Sequence, residues 1–193
     1  MITFGRKGKY LAEGSFMQEI ETARLRLRRF TADDLDAVRR IYSDTEVLRY
    51  MWDGQARTEE QIRDALAFLM GGWEKRGIGM WAMVHKGHGE VIGRCGFTFL
   101  PGTTEAEIGY ILARPYWGAG YATEAARACV RYGFEDRALP RIVAVTRPDN
   151  VASRRVLQKL GMAYEGLAQH YGAEQACYAI ERDAYRERAA GAS

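Results

Sequence analysis

Two stretches of this 193-residue chain carry residue types and spacings that could do chemistry. The first, Ile108 to Glu124, reads IGYILARPYWGAGYATE. It opens as an apolar, β-prone run, Ile108 to Leu112. It breaks at Arg114-Pro115, because proline removes a donor and biases its predecessor away from helix. Trp117-Gly118-Ala119-Gly120 follows. Then comes an alanine-rich segment from Tyr121 to Phe134, with small apolar residues at Ala122, Ala125, Ala126, Cys129, Val130 and Gly133, which reads as a helix. A helix start leaves backbone N–H groups without partners and carries the positive end of the helix dipole. Gly118 and Gly120 have no Cβ, so an anion can approach the backbone closely. The order strand, glycine-rich turn, helix could therefore hold a phosphate or pyrophosphate; it could equally be a plain tight connection. Two nucleotide signatures fail on spacing. The phosphate loop needs a lysine that is absent, and the dinucleotide fingerprint needs a third glycine where Thr123 stands.

The second stretch, Asn150 to Met162, reads NVASRRVLQKLGM. By itself it is an N-capped amphipathic helix stopped by Gly161, with Val151, Val156, Leu157 and Leu160 inward. Other reactive side chains give weaker patterns. Cys95, Cys129 and Cys177 are odd in number and lack CxxC spacing, which argues for buried free thiols over a disulfide framework or a zinc site. His85, His88 and His170 form no HExxH pattern, and the first two flank a Lys-Gly turn where solvated residues are expected. No metal is expected.

The elements that must position these stretches follow in order. Arg24-Leu-Arg-Leu-Arg28 alternates like a strand with one buried face. Thr31 with Asp34 is an approximate capping box opening a helix to about Tyr42. Ser43 to Arg57 reads as a loop carrying Leu48, Tyr50, Met51 and Trp52, which either pack beneath it or wall a substrate pocket. Thr58 with Gln61 opens a helix to about Lys75, with Ile62, Ala65, Leu66, Leu69 and Met70 inward. Ile78 to His85 and Glu90 to Phe99 form a hairpin, and Thr104 to Leu112 adds a strand. Arg141 to Thr146 is a further strand, and Ala163 to Ala168 with Ala176 to Arg182 a final pair. The fold class is α+β with a mixed sheet. Residues 1–19 read as a poorly ordered extension, 20–186 as one domain and 187–193 as a tail.

Apolar residues make up 47 %, an ordinary globular value. No apolar run approaches the ~20 residues of a membrane helix, and no secretory signal opens the chain, so a cytoplasmic location is the default. A net charge of +3, with basic residues dispersed, argues against nucleic acid.

Arg114-Pro-Tyr-Trp-Gly-Ala-Gly-Tyr-Ala-Thr-Glu124 resembles the acyl-CoA-binding motif of the GNAT superfamily of N-acetyltransferases, and within it the RimJ/RimL-like ribosomal-protein acetyltransferases. That motif runs Gln/Arg-x-x-Gly-x-Gly/Ala. Gly118 and Gly120 match its small positions, while Pro115 stands at the Gln/Arg position. Asn150 to Met162 resembles the family's late Asn-x-x-Ser helix, Glu21 to Phe30 its first strand, and Glu107 to Tyr110 its fourth. The resemblance covers about residues 21–186 in the family's order.

It implies a mostly antiparallel sheet, splayed between the fourth and fifth strands and flanked by helices in three layers. It implies acetyl-CoA as co-substrate in the gap, near Ile111, Leu112, Trp117, Gly118, Ala119, Gly120, Tyr121, Ala122 and Thr123, with Asn150, Ser153 and Arg155 on the late helix. It implies a primary amine acceptor, either a protein N-terminus or a small molecule, and a monomer or homodimer. Glu107 is then the candidate base, acting through water, since a partly buried carboxylate has a raised pKa; the bland alternative is a solvated strand residue beside Glu105. A tyrosine proton donor used by some relatives corresponds to Leu157, so Ser153 is left to meet the thiol. Transfer of another acyl group, or acyl-CoA sensing without catalysis, are the alternatives.

Overall fold

The computed structural model describes residues 19–51 and 53–191; the proposed N-terminal extension through residue 18, and Trp52, lie outside them. Strands β1 (Ile20–Glu21) and β2 (Leu25–Arg28) open the fold. Alternation in β2 buries Leu25 and Leu27 and leaves Arg26 exposed. A 3-10 turn (Ala32–Asp34) leads into α1 (Leu35–Tyr42). The Thr31 amide donates to the Asp34 carboxylate at 2.8 Å, so the approximate capping box forms with Asp in place of Glu. Both Asp34 oxygens also accept from Arg28, each at 2.7 Å, which ties α1 to β2.

The expected loop from 43 to 57 contains a short helix, α2 (Thr45–Leu48), capped by Asp44. Its Leu48 packs fully into the core, whereas Tyr50 and Met51 line a cavity, so the stretch does both jobs considered for it. Helix α3 (Glu59–Arg76) opens on the second capping box, with Thr58 N donating to Gln61 Oε1 at 2.9 Å and Gln61 N to Thr58 Oγ1 at 3.3 Å. Gly77 at φ 67° ends it in the left-handed conformation that glycine adopts without strain. Ile62, Leu66 and Leu69 face inward as their spacing requires, but Met70 is 40 % exposed, because it falls at the edge of the apolar stripe.

The remaining elements are β3 (Met80–His85), β4 (Val91–Phe99), β5 (Ala106–Leu112), α4 (Tyr121–Glu135), β6 (Arg141–Thr146), α5 (Val151–Lys159), β7 (Ala163–His170), β8 (Ala173–Glu181) and α6 (Arg182–Gly191). Leu157 on α5 and Leu160 at its C-cap are buried, but Val151 is half exposed at the first turn. Helix α6 runs across the boundary expected at residue 186, so residues 187–191 continue a helix.

The sheet has eight strands in the order β1-β2-β3-β4-β5-β6-β8-β7. Every neighbouring pair is antiparallel except β5 and β6. One face packs on α1 and α3 through residues such as Val38, Ile62, Leu69, Met80, Ala82 and Ile111. The other packs on α4 and α5, with Trp81, Phe97, Ile108, Ala125, Ala126 and Leu157 at its centre. Alanines at the sheet-facing positions of α4 let that helix sit close, and three helix-flanked layers result. This is the α+β fold with a mixed sheet that the chain order implies, mostly antiparallel as the family resemblance implies.

One irregularity in the sheet matters most. Strands β4 and β5 pair from Gly93 opposite Leu112 to Phe99 opposite Ala106. Strands β5 and β6 pair only at Ala106 with Ile142 and Glu107 with Val143. Beyond Glu107 they diverge, while β6 stays paired with β8 along its whole length. The sheet is forked, and Glu107 stands at the fork.

Candidate active site

A cavity of about 780 Å³ fills the fork. Glu107, Tyr110, Asn150 and Ser153 line it, together with Arg94, Phe68 and Tyr171. Strand alternation puts Glu107 on the α1/α3 face, in the row of Ile111, and Tyr110 on the opposite face, among the α4/α5 core residues. The cavity therefore reaches both faces of the sheet through the gap.

Glu107 is only 8 % exposed. Burial pushes its carboxyl above the usual range. A hydrogen bond donated by Tyr171 and the charge of Arg94 pull the other way, and burial prevails. A carboxylate tuned upward takes a proton more readily near neutral pH. Tyr171 had no sequence pattern to mark it. It sits with Gly172 in the two-residue turn between β7 and β8, at φ 53° and 74° respectively. Two positive φ values make a turn of the twist hairpins prefer. A left-handed tyrosine is uncommon and costs roughly 1–2 kcal/mol. The turn thereby delivers a phenol from the far end of the sheet to the fork.

Across the gap, the Tyr110 hydroxyl lies 3.0 Å from Ser153 Oγ and donates to Ser153 O at 3.2 Å. Burial raises the Tyr110 pKa far above its ordinary value, so this phenol keeps its proton and acts as a donor. Asn150 Oδ1 accepts from Ser153 N at 3.1 Å, which caps α5 and fixes Ser153 at its first turn. Leu157 is buried against the same cavity. Arg154 reaches Tyr178 and the Pro148 carbonyl, whereas Arg155 is exposed on α5.

The glycine turn lies at the far end of β5. Gly118 and Gly120 have φ 74° and 84°, where an L side chain is strained, and a Cβ at Gly118 would meet nothing within 4 Å. Gly120 is the N-cap of α4 and offers no side-chain cap, so the amides of Tyr121, Ala122 and Thr123 begin the helix without one. Trp117 Nε1 donates to the Leu112 carbonyl at 2.7 Å and closes the turn. Ile111 and Leu112 are buried in the sheet. Residues 111–123 do not border the cavity at the fork.

Arg24 braces this turn, and nothing in its own sequence context announced that role. Its Nη1 donates to the Ala119 carbonyl at 2.9 Å, its Nε to Glu124 at 2.7 Å, and its guanidinium lies 4.1 Å from the Tyr121 ring centroid. Glu124 also accepts from Thr22 Oγ1 at 2.7 Å and from the Arg24 amide at 2.8 Å. Burial would raise its carboxyl, but these bonds outweigh that and hold it below the usual range. His85 is half-buried, with Nε2 2.8 Å from the Tyr121 hydroxyl, so it is a packing partner of the turn rather than a solvated loop residue. Cys95 and Cys129 are buried free thiols as expected, and no cluster suited to a metal occurs among the described residues.

A forked sheet with a buried carboxylate at the fork and a glycine-rich helix start beyond it is the arrangement that the resemblance to N-acetyltransferases implies, and comparison with known proteins agrees. A family model for the acetyltransferase (GNAT) domain matches residues 24–163, and the chain belongs to that family. It is 35 % identical over 156 residues to an uncharacterized N-acetyltransferase, p20, of Bacillus licheniformis, covering 80 % of this chain and 88 % of that one. It superposes on the crystal structure of a GNAT-family acetyltransferase from Bacillus anthracis with TM-score 0.75 and 32 % identity, covering 86 % and 99 % of the two chains. It shares the fold of RimL, a ribosomal L7/L12 α-N-protein acetyltransferase solved with coenzyme A, at TM-score 0.72 and 22 % identity, covering 86 % and 99 %. The protein is an N-acetyltransferase. Among the described residues no helix is long and apolar enough to cross a membrane.

Proposed function

We propose that this protein transfers an acetyl group from acetyl-CoA to a primary amine, of a protein N-terminus or a small molecule, by direct attack and without a covalent acyl-enzyme. The observation that carries the reading is Glu107, buried at the fork and facing the cavity. The fork suits the pantetheine arm because the β5 backbone past Glu107 has no strand beside it on the β6 side. The open space at Gly118 suits the pyrophosphate, and a relative of the same fold was solved with coenzyme A. The co-substrate supplies an activated thioester.

The chain does the rest. Glu107 takes a proton from the acceptor ammonium, directly or through water, because an ammonium has no lone pair to attack with. Backbone N–H groups on the free side of β5 stabilise the developing oxyanion. Ser153, held by Asn150 and Tyr110, hydrogen-bonds the departing sulfur or passes it a proton from water.

The test is thiol release from acetyl-CoA with a panel of amines, on wild type and Glu107→Gln, with desulfo-CoA binding measured by calorimetry. Turnover should fall by about 10²–10⁴-fold in the variant, the usual worth of a general base, with coenzyme binding retained. Wild-type binding without any turnover would instead make the protein an acyl-CoA sensor.

A further inference from the structure

The acceptor end of the cavity carries a charge that amine chemistry does not require. Arg94 lies on β4, on the same face as Glu107 and two cross-strand pairs away: Thr98 opposes Glu107, Gly96 opposes Gly109, and Arg94 opposes Ile111. The intervening pair is two glycines, so no side chain of β4 or β5 rises between the carboxylate and the guanidinium. The Met80 side chain from β3 covers that floor instead, its Cε reaching within 3.4 Å of where a Gly109 Cβ would stand.

A half-buried guanidinium normally finds a carboxylate. Arg94 makes no ion pair among the described residues, whereas Arg28, also partly buried, pairs with Asp34 at 2.7 Å. Its Nε donates to the Tyr42 hydroxyl at 2.8 Å and its Nη1 lies 3.2 Å from the Met80 sulfur, a weak acceptor. Tyr42 thus fixes the fork of donors in place, and among the described residues the one opposing charge it feels from the cavity wall is that of Glu107, at longer range than an ion pair. Among the described residues lining the cavity, Glu107 is the one carboxylate, set against Arg94 and Arg147. A site for a polycation would have the opposite balance.

Resting on the acetyl-transfer reading above, we infer that the acceptor is an amine that also carries an anionic group, with its amine at Glu107 and its anion on Arg94. Carboxylate and phosphoryl groups both match the bidentate geometry of a guanidinium. Four residue steps, roughly 13 Å of strand, separate Arg94 from Thr98, the residue opposite Glu107, and Arg94 Nη1 turns to the Met80 side chain that covers the glycines between. The anion is therefore several bonds from the amine. A diamine or polyamine is excluded by repulsion at Arg94.

The experiment compares ω-amino carboxylates of graded chain length with alkylamines and diamines of equal length, on wild type, Arg94→Met and Arg94→Lys. In the wild type the best amino carboxylate should exceed its alkylamine in kcat/KM by about tenfold or more, the factor that ~1.4 kcal/mol of charge-assisted hydrogen bonding gives, with the diamine poorest. Arg94→Met should reduce that ratio to near one, and Arg94→Lys should preserve its direction. Desulfo-CoA affinity reports whether each variant is folded. Equal use of alkylamine and amino carboxylate, or an unchanged ratio in Arg94→Met, overturns the inference. If no amine is turned over, calorimetry of the amino carboxylate on the desulfo-CoA-loaded protein decides: binding weakened by Arg94→Met supports it, and no wild-type binding overturns it. Failure of acetyl transfer itself looks different, as an absence of acetyl-CoA binding or as equal turnover by Glu107→Gln.

Discussion

The two ends of the active site are built in different ways. The glycine turn is made of backbone and cross-braced from outside: Arg24, Glu124, Thr22, Tyr121 and His85 hold it through contacts that join the β1–β2 connection, β3 and α4. The acceptor end is made of side chains delivered from separate places, Tyr50 and Met51 after α2, Phe68 on α3 and Tyr171 at a hairpin tip. Phe68 and Tyr171 line the cavity while 63 % and 57 % exposed, so their rings are open to a ligand entering it. A rigid backbone cradle suits a co-substrate whose phosphates never change. Exposed rings on independent elements suit a partner that can differ between relatives without disturbing the fold. Mutations at the two ends should therefore fail differently, the first in coenzyme affinity and the second in acceptor kinetics.

The largest expected break is Gly118→Trp with Gly120→Trp. Both residues sit at positive φ, and the space beyond Gly118 is open, so the indole occupies the place proposed for the pyrophosphate. Acetyl-CoA affinity measured by calorimetry should fall by about a hundredfold or more, equivalent to ~2.7 kcal/mol. The melting temperature should move little beyond the strain that two left-handed residues add. Unchanged affinity would return this turn to a plain connection.

A smaller effect separates bracing from contact. Glu124→Gln keeps the shape but removes the charge that Arg24 grips. Arg24 is 43 % exposed, so the ion pair contributes about 1 kcal/mol or less to stability. Its loss should lower the melting temperature by a few degrees at most. Acetyl-CoA affinity should weaken by up to about tenfold, because the Ala119 carbonyl and the Tyr121 ring lose part of their anchor. Acceptor KM should stay the same, and a change there would blur the division between the two ends.

That division also explains what the amino-acid sequence revealed. The coenzyme end is local: strand, glycine turn and capped helix occupy consecutive residues, and both capping boxes and the Asn150 cap formed as their spacing required. Glu107 could be picked out because it stands just before the apolar run of β5. The acceptor end is assembled by register. Arg94 was one polar residue in a β-rich run, and its row with Glu107 exists only once Thr98 is set opposite Glu107. Tyr171 fell between two expected strands, at the tip of a hairpin whose strands are longer than their β-rich cores. Arg24 and Glu124 are 100 residues apart, and no period links them. Helix α6 was missed because its apolar residues are few and none is buried.

The smallest effect is the sharpest probe of the acceptor end. Tyr171 donates a hydrogen bond to Glu107, and such a bond favours the charged carboxylate. The groups facing Glu107 are this phenol, from the β7–β8 turn, and the more distant Arg94, from β4. Both hold its pKa down against burial. Tyr171→Phe removes one of them, so the Glu107 pKa should rise further. A base must be deprotonated to work, so activity is lost as pH falls through that pKa. The acid limb of the kcat/KM profile should therefore move to higher pH in the variant, by an amount on the order of one unit or less, since 1.36 kcal/mol corresponds to a full unit. Well above the limb, the rate should approach that of wild type. The exposed position of Tyr171 predicts little change in melting temperature, and coenzyme affinity should be unchanged. A limb that stays in place would mean that the phenol does not touch the titrating base, and a limb that moves to lower pH would mean that Glu107 is not that base.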